Sequence, residues 1–266
     1  MVLVTDSSAC LPPALFYHAN VRVVPIRIIL PNGTVKETAQ SIDEIYRAMA
    51  APGTVTSSPP TLADYLGAIE GDGFEEALVL TPATEFTCMH RVASMAASLS
   101  ARPVEVVDTR TVAAAQCLVA AAALEAIAAG AGVAEAAETA RDAARRTELV
   151  AALPELGSMP RTAEFAAKEP SGQRRGHPLL RFVDGVIVPL PEAESSGAEL
   201  DVLEAAWSAC GGPQADETVI FHGASEPLAR ELSSLLGGTA EIVSFSPALA
   251  LQMGVGCVGA AWTKSS

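Results

Sequence analysis

Apolar and polar residues come in blocks along this chain, and the blocks alternate with the spacing of strands and helices. Val2-Leu3-Val4 is a short apolar run that opens into the polar Thr5-Asp6-Ser7-Ser8, after which Pro12-Pro13 starts a helix over residues 14–18. Residues 21–30, apolar and β-branched, read as a second strand that Pro31-Asn32-Gly33 closes with turn chemistry. Ser41-Ile42-Asp43-Glu44 has capping-box spacing and predicts a helix ending near Ala51. A buried strand over 77–80 leads into the hydroxyl-bearing loop 81–90 and a helix over 91–99; a strand over 104–107 leads into Asp108-Thr109-Arg110-Thr111 and an Ala-rich helix. Strand, polar loop and helix in repeated order predict a mostly parallel sheet with helices on both faces. Ligands of such sheets sit outside the carboxyl ends of the strands, so Asp6-Ser7-Ser8, Thr56-Ser57, residues 84–87 and Asp108-Thr109 are expected to converge on one crevice.

Val55-Thr56-Ser57-Ser58-Pro59-Pro60-Thr61 leads into the helical spacing of Leu62-Ala63-Asp64-Tyr65-Leu66. Prolines suit a first helical turn, Ser58 or Thr61 serves as N-cap, and Thr61 with Asp64 matches a capping box. Unpaired backbone N–H groups beside several hydroxyls favour a small anion such as a carboxylate; the same residues also make an ordinary helix cap.

The second half has a different texture. An amphipathic helix over 133–146 ends on Arg141, Arg145 and Arg146, which complement its negative end, and a domain boundary is placed near Val150, dividing the chain into 1–150 and 151–266. Beyond it come strands over 179–182 and 186–190 around Asp184-Gly185, an acidic helix through Trp207, a strand over 218–222, a helix over 226–236 and a strand over 241–244. Gly254-Val255-Gly256-Cys257-Val258-Gly259 reads as a glycine-rich loop or helix start. Mixed strand directions are expected there.

Composition narrows the function. A formal charge of −14 and a pI near 4.7 oppose binding to nucleic acid or an anionic membrane surface. Half the residues are hydrophobic but only 5% are aromatic, and the longest apolar run, 111–130, is mostly Ala with Gln116 and Glu125 inside it. That run predicts a buried helix and no membrane insertion, and without a signal-peptide pattern at the start the expected location is cytoplasmic. Five scattered cysteines and four histidines form no close cluster, so no metal and no disulfide is expected.

Read together, these motifs resemble the DegV family, the fatty-acid-binding proteins that serve as substrate carriers for bacterial fatty acid kinases. Thr5-Asp6-Ser7-Ser8 matches its opening Thr-Asp-Ser-Ser, and Thr56-Ser57-Ser58-Pro59-Pro60 resembles its Thr-Ser-Gln-Pro-Ser loop. Asp108-Thr109 stands where the family has Asp-Ser, Leu156-Gly157-Ser158-Met159-Pro160-Arg161 where it has Leu-x-x-Gly-Gly-Arg, and Gly254-Val255-Gly256 where it ends in His-x-Gly-Pro-Gly. The resemblance runs in order over essentially the whole chain. It implies an α/β fold of two domains, an N-terminal three-layer α/β/α unit with a mostly parallel sheet and a C-terminal two-layer unit with a mixed sheet. A long-chain fatty acid is the implied ligand, with no cofactor and no catalysis by the chain itself, and a fatty acid kinase is the implied partner.

Carried over position by position, the resemblance places the carboxylate on Thr56 and Ser57, on Thr87 with Cys88, and on Gln252 near Gly254, with Asp6, Ser7 and Arg161 in register with the remaining family motifs. Gln252 stands for the family's histidine and donates a hydrogen bond without titrating. The family's basic stretch after the Asp-Gly turn is missing: no Lys or Arg occurs between Arg181 and Arg230, and 189–197 is acidic, so coupling to a kinase is expected to be altered or lost. Arg174-Arg175 with Arg181 is a substitute docking patch or simply a solvated loop. The rival reading is a Ser- or Cys-dependent hydrolase of a lipid or acyl ester that pairs Ser7, Ser57 or Cys88 with His90, His177 or His222, although no Gly-x-Ser-x-Gly elbow is present.

Overall fold

The computed structural model describes residues 1–154, 178–191, 193 and 197–265. Two sheets carry most of it. The first is parallel and four-stranded, in the order β2 (Val21–Val24), β1 (Val2–Asp6), β6 (Ala77–Thr81), β7 (Val104–Asp108). Every residue of β1 and β6 is buried, as expected of central strands covered on both faces. Helices α3 (Leu62–Ile69) and α4 (Met89–Leu99) pack with one face, and α5 (Ala113–Ala128) and α6 (Val133–Arg146) with the other. The short helix α1 (Pro13–Phe16) and α2 (Ile42–Met49) complete this half.

The second sheet is mixed and six-stranded, in the order β10 (Val186–Pro189), β9 (Leu179–Val183), β8 (Thr147–Ala152), β13 (Val258–Lys264), β11 (Ala215–His222), β12 (Glu241–Ser244). Only the β11–β12 pair is parallel. Helices α7 (Glu199–Ala209) and α8 (Glu226–Leu235) cover one face, and α5 lies against the other. The Ala-rich helix is therefore shared between the sheets. Ala114, Ala115 and Leu118 pack with Leu149, Phe182 and Phe221 of the second sheet, whereas Val119, Ala120 and Ala123 pack with Leu3, Leu78 and Leu80 of the first. A helix apolar all round is a buried helix, and methyl side chains let two sheets approach it closely.

Alternation read from the sequence thus gives the right class, an α/β fold with one parallel and one mixed sheet. Four details differ. The stretch read as one strand over 21–30 is broken at Pro25, which has no N–H to give a ladder, and its second part is β3 (Arg27–Leu30) in a small antiparallel sheet with β4 (Gly33–Lys36) and β5 (Thr56–Ser58). Thr147 already begins a strand of the second sheet, so a boundary at Val150 falls inside β8. The glycine-rich segment ends at Cys257 and becomes β13, a central strand in which a Cβ on Gly259 would lie 2.2 Å from the Val150 carbonyl and 2.4 Å from the Phe221 ring. Finally, Pro247–Met253 form a helix, α9, that packs back on α2 and β5.

Candidate functional site

A cavity of about 300 Å³ opens where the first sheet, the small sheet and α9 meet. Its polar lining is Ser8, Ser57, Thr87, Cys88 and Gln252, each from a different stretch of backbone except the adjacent pair 87–88. Ile26, Pro82, Phe86, Met89, Leu249 and Met253 supply much of the apolar lining. Behind it is a narrow crevice of about 20 Å³ with apolar walls only, including Leu149, Leu180, Phe182, Phe221 and Phe245. Val112 and Met253 line both spaces, so these two side chains stand between the polar chamber and the apolar one. The β7–α5 link delivers Val112 to this position through left-handed backbone at Arg110 (φ 51°) and Ala113 (φ 55°).

Local chemistry fixes the polar groups. At the end of β1, Asp6 caps a 3-10 turn over Ser7–Ala9: its carboxylate accepts from the Ser8 N–H at 2.9 Å and from the Ser8 hydroxyl, and Gln116 Nε2 donates to it at 3.1 Å. Asp6 is 0% exposed; burial pushes its carboxyl up from the usual range, and the bonds from Ser8 and Gln116 oppose that rise. A second sealed acid, Glu37, is 1% exposed. It accepts from Ser7 Oγ at 2.6 Å, Ser246 Oγ at 2.7 Å and the Ala248 N–H at 3.3 Å, so it holds the N-terminus of α9 against the end of β4. Burial raises its carboxyl too, against the hydrogen bonds from Ser7 and Ser246. On the opposite wall Thr87 Oγ1 accepts from the Met89 N–H at 3.2 Å at the start of α4, which leaves its own proton to be donated.

Ser57, Thr87, Cys88 and Gln252 therefore meet on one cavity, while the other candidates do not join them. Thr56 is exposed: in β5 it pairs with Ile29, itself 43% exposed, whereas Ser57 pairs with the fully buried Ile28, so the alternation of a strand turns Thr56 away from the side Ser57 faces. Ser7 is committed to Glu37 and also accepts from the Ile26 N–H at 3.0 Å. Asp6 is sealed behind Ser8. Gly254 ends α9 at φ 94°, its N–H bonded to the Ala250 carbonyl, and does not line the cavity. Arg161, with the rest of 156–161 and with Arg174, Arg175 and His177, lies outside the described residues. The anion site expected at the start of α3 is self-satisfied: Thr61 and Asp64 form the capping box, and the Arg27 guanidinium, 2.7 Å from Asp64, holds that carboxyl well below its usual range.

Sequence reasoning expected Asp6-Ser7-Ser8 at the crevice but singled out Asp6 and Ser7 from it, and it missed Glu37 and the Phe86–Phe182 contact. Ser8 sits in the quoted Thr-Asp-Ser-Ser run, but only the 3-10 turn decides that it, and not Ser7, reaches the cavity. Phe86, which lines the cavity, and Phe182, which lines the crevice, meet at a tilted angle with centroids 5.1 Å apart. Next to them Arg110 ties Glu85 (3.1 Å) on the cavity loop to Asp184 in the β9–β10 turn. A nucleophile–base pair is not assembled among the described residues: His90 Nδ1 is bonded to Thr81 Oγ1 and His222 Nδ1 accepts from the Ser225 N–H, and burial lowers the His222 value. Among those same residues no group of His, Cys, Asp and Glu is arranged to hold a metal, and no helix is long and apolar enough to cross a membrane.

Comparison with known proteins gives one family. Residues 1–164 match the model described as "Uncharacterised protein, DegV family". A DegV domain-containing protein of Mycobacterium tuberculosis is 26% identical over 269 residues, covering 97% of this chain and 95% of its own. Among solved structures, a fatty acid binding DegV family protein from Streptococcus agalactiae superposes with a TM-score of 0.82 at 22% identity over 100% of this chain and 99% of that one. A stearic acid-binding protein from Eubacterium ventriosum does so with a TM-score of 0.85 at 16% identity, covering 99% and 98%.

Proposed function

We propose, from the premise that this chain belongs to the DegV family, that it is a fatty-acid-binding protein with its lipid head in the Ser57–Thr87–Gln252 cavity and its tail in the apolar crevice. The observation that carries the reading is the wall shared at Val112 and Met253, where a cavity that includes hydroxyls adjoins a space walled only by hydrocarbon. Each buried methylene contributes about 0.8 kcal/mol, so the tail supplies most of the gross affinity. The head adds orientation, because a buried polar group without partners costs about 1–3 kcal/mol and the cavity offers several donors. Ser57, Thr87 and the Gln252 amide donate to the head oxygens, and Cys88 closes the rim.

The crevice is narrow, and a long tail needs the side chains at its mouth to move aside. Met253 is suited to that, being unbranched with three rotatable bonds. Neutral donors also suit a carrier that releases its ligand's head to another protein. With no Lys or Arg between Arg181 and Arg230, that protein would not be engaged through the family's basic stretch, and in this reading the chain itself carries no catalytic group. Mass spectrometry of protein purified under native conditions and then denatured tests the proposal: a fatty acid at one equivalent is expected. Protein that carries none and takes up none from a fatty acid series would overturn it.

A further inference from the structure

The wall between the two spaces bears on how long a tail they accept. On its near side the cavity holds about 300 Å³, and on its far side the crevice holds about 20 Å³. A single water needs roughly 10–15 Å³ of free volume, so the crevice as it stands admits little more than one water-sized group and not a run of methylenes. A tail that enters it past this wall has to displace a side chain of the wall itself. Val112 and Met253 are the two residues found in the lining of both spaces. Beyond them stand Phe221 and Phe245, stacked with centroids 5.3 Å apart, so the path behind the wall continues among hydrocarbon.

Val112 is the fixed half of the wall. Its β-branched side chain is stiff about χ1. Its backbone is pinned as well: the Thr111 carbonyl accepts from the Ala83 N–H at 2.9 Å, and the Val112 carbonyl accepts from the Ala115 N–H at 3.2 Å. Met253 is the movable half. Its side chain is unbranched and pivots about three bonds, and it ends α9, whose other end is tied to Glu37 through Ser246 and the Ala248 N–H. Gln252, the residue before it, lines the cavity, so α9 presents a head donor and the movable partition at successive positions.

We propose that Met253 is the residue that sets the tail-length preference: tails that end before it bind with the wall intact, and longer tails bind by turning its side chain aside. This deepens the lipid-binding reading and rests on it. The test is a series of saturated fatty acids from octanoic to hexadecanoic at one pH, measured by displacement of a fluorescent lipid from the unmodified full chain and from variants at Met253. The readout is the change in Kd per added methylene within each protein, so a general loss of folded protein cancels. In the unmodified chain the Kd is expected to fall about fourfold per methylene for the shorter acids and to stop falling over the carbons that reach Met253, where the gain from burial is offset by displacing a packed side chain. Met253→Ala removes that break, and the longer acids tighten relative to octanoic acid by about fourfold for each carbon the break had cost. Met253→Ile, close in volume but stiff, turns the break into a stop beyond which added carbons gain nothing. An unbroken slope in the unmodified chain, or a break at the same length in all three proteins, overturns the proposal. Failure of every acid to bind the unmodified chain instead overturns the lipid-binding reading beneath it.

Discussion

The two adjoining spaces of this molecule are built on opposite principles. The polar chamber is assembled from single residues on separated stretches of chain, Ser8 and Thr87 oriented by local hydrogen bonds, Ser57 by strand alternation, and Gln252 carried on α9. The crevice is assembled from the inner faces of regular strands, with Leu149, Leu180, Phe182 and Phe221 on one continuous sheet. Affinity in the crevice scales with area and is insensitive to small displacements, whereas the chamber depends on directed groups and loses its discrimination when one of them turns. The molecule thus separates how tightly it binds from what it recognises.

Changing the crevice is expected to have the largest effect. Phe182→Ala removes a side chain that packs on Phe86 and borders the crevice, and should destabilise the fold by about 3–5 kcal/mol in chemical denaturation while widening the space for the tail. A variant of unchanged stability would mean that the crevice is not part of the core. The chamber should respond in the opposite sense: Ser57→Ala with Thr87→Ala is expected to weaken lipid binding by about 1–3 kcal/mol, roughly 5- to 150-fold, with little change in unfolding. Thr56→Ala is its control and should leave affinity unaltered.

The sealed acids sharpen the contrast through pH. Asp6 and Glu37 both have carboxyls raised in the folded state, so the folded chain binds more protons than the unfolded one between the ordinary carboxyl value, about 4, and the raised folded value. Their contribution is fully present below the ordinary value and is lost as pH rises through the folded one. Glu37→Gln should make that decline shallower in denaturation series at several pH values, and Phe182→Ala should leave its slope alone. The smallest effect is expected at the exposed strap. Arg110→Ala loses ion pairs to Glu85 and Asp184 that are worth at most about 1 kcal/mol at the surface, and its readout is faster lipid release in stopped-flow exchange.

Much of the frame was legible because its signals are local or periodic. The strand–loop–helix alternation marks the parallel sheet, the Thr61–Asp64 spacing marks the cap that forms, and the Ala-rich run marks the buried helix. The chamber was legible only in part. Thr56 and Ser57 are chemically alike, and only the pairing of β5 with β3 turns one outward and the other in. Ser7 and Ser8 are identical neighbours that a 3-10 turn points in different directions, and Glu37 comes to stand behind the wall only through contacts with Ser246 and Ala248, more than two hundred positions away. β13 was hidden because its one glycine, Gly259, answers to a neighbouring carbonyl and ring, a tertiary demand with no sequence period.

Helix α5 has a mechanical consequence. Its flanks belong to the interiors of both halves at once, so the halves cannot swing apart as a clamshell does without exposing methyl groups that pack against each sheet. Parting the two sheets would therefore strip one spine of its packing on both flanks at once.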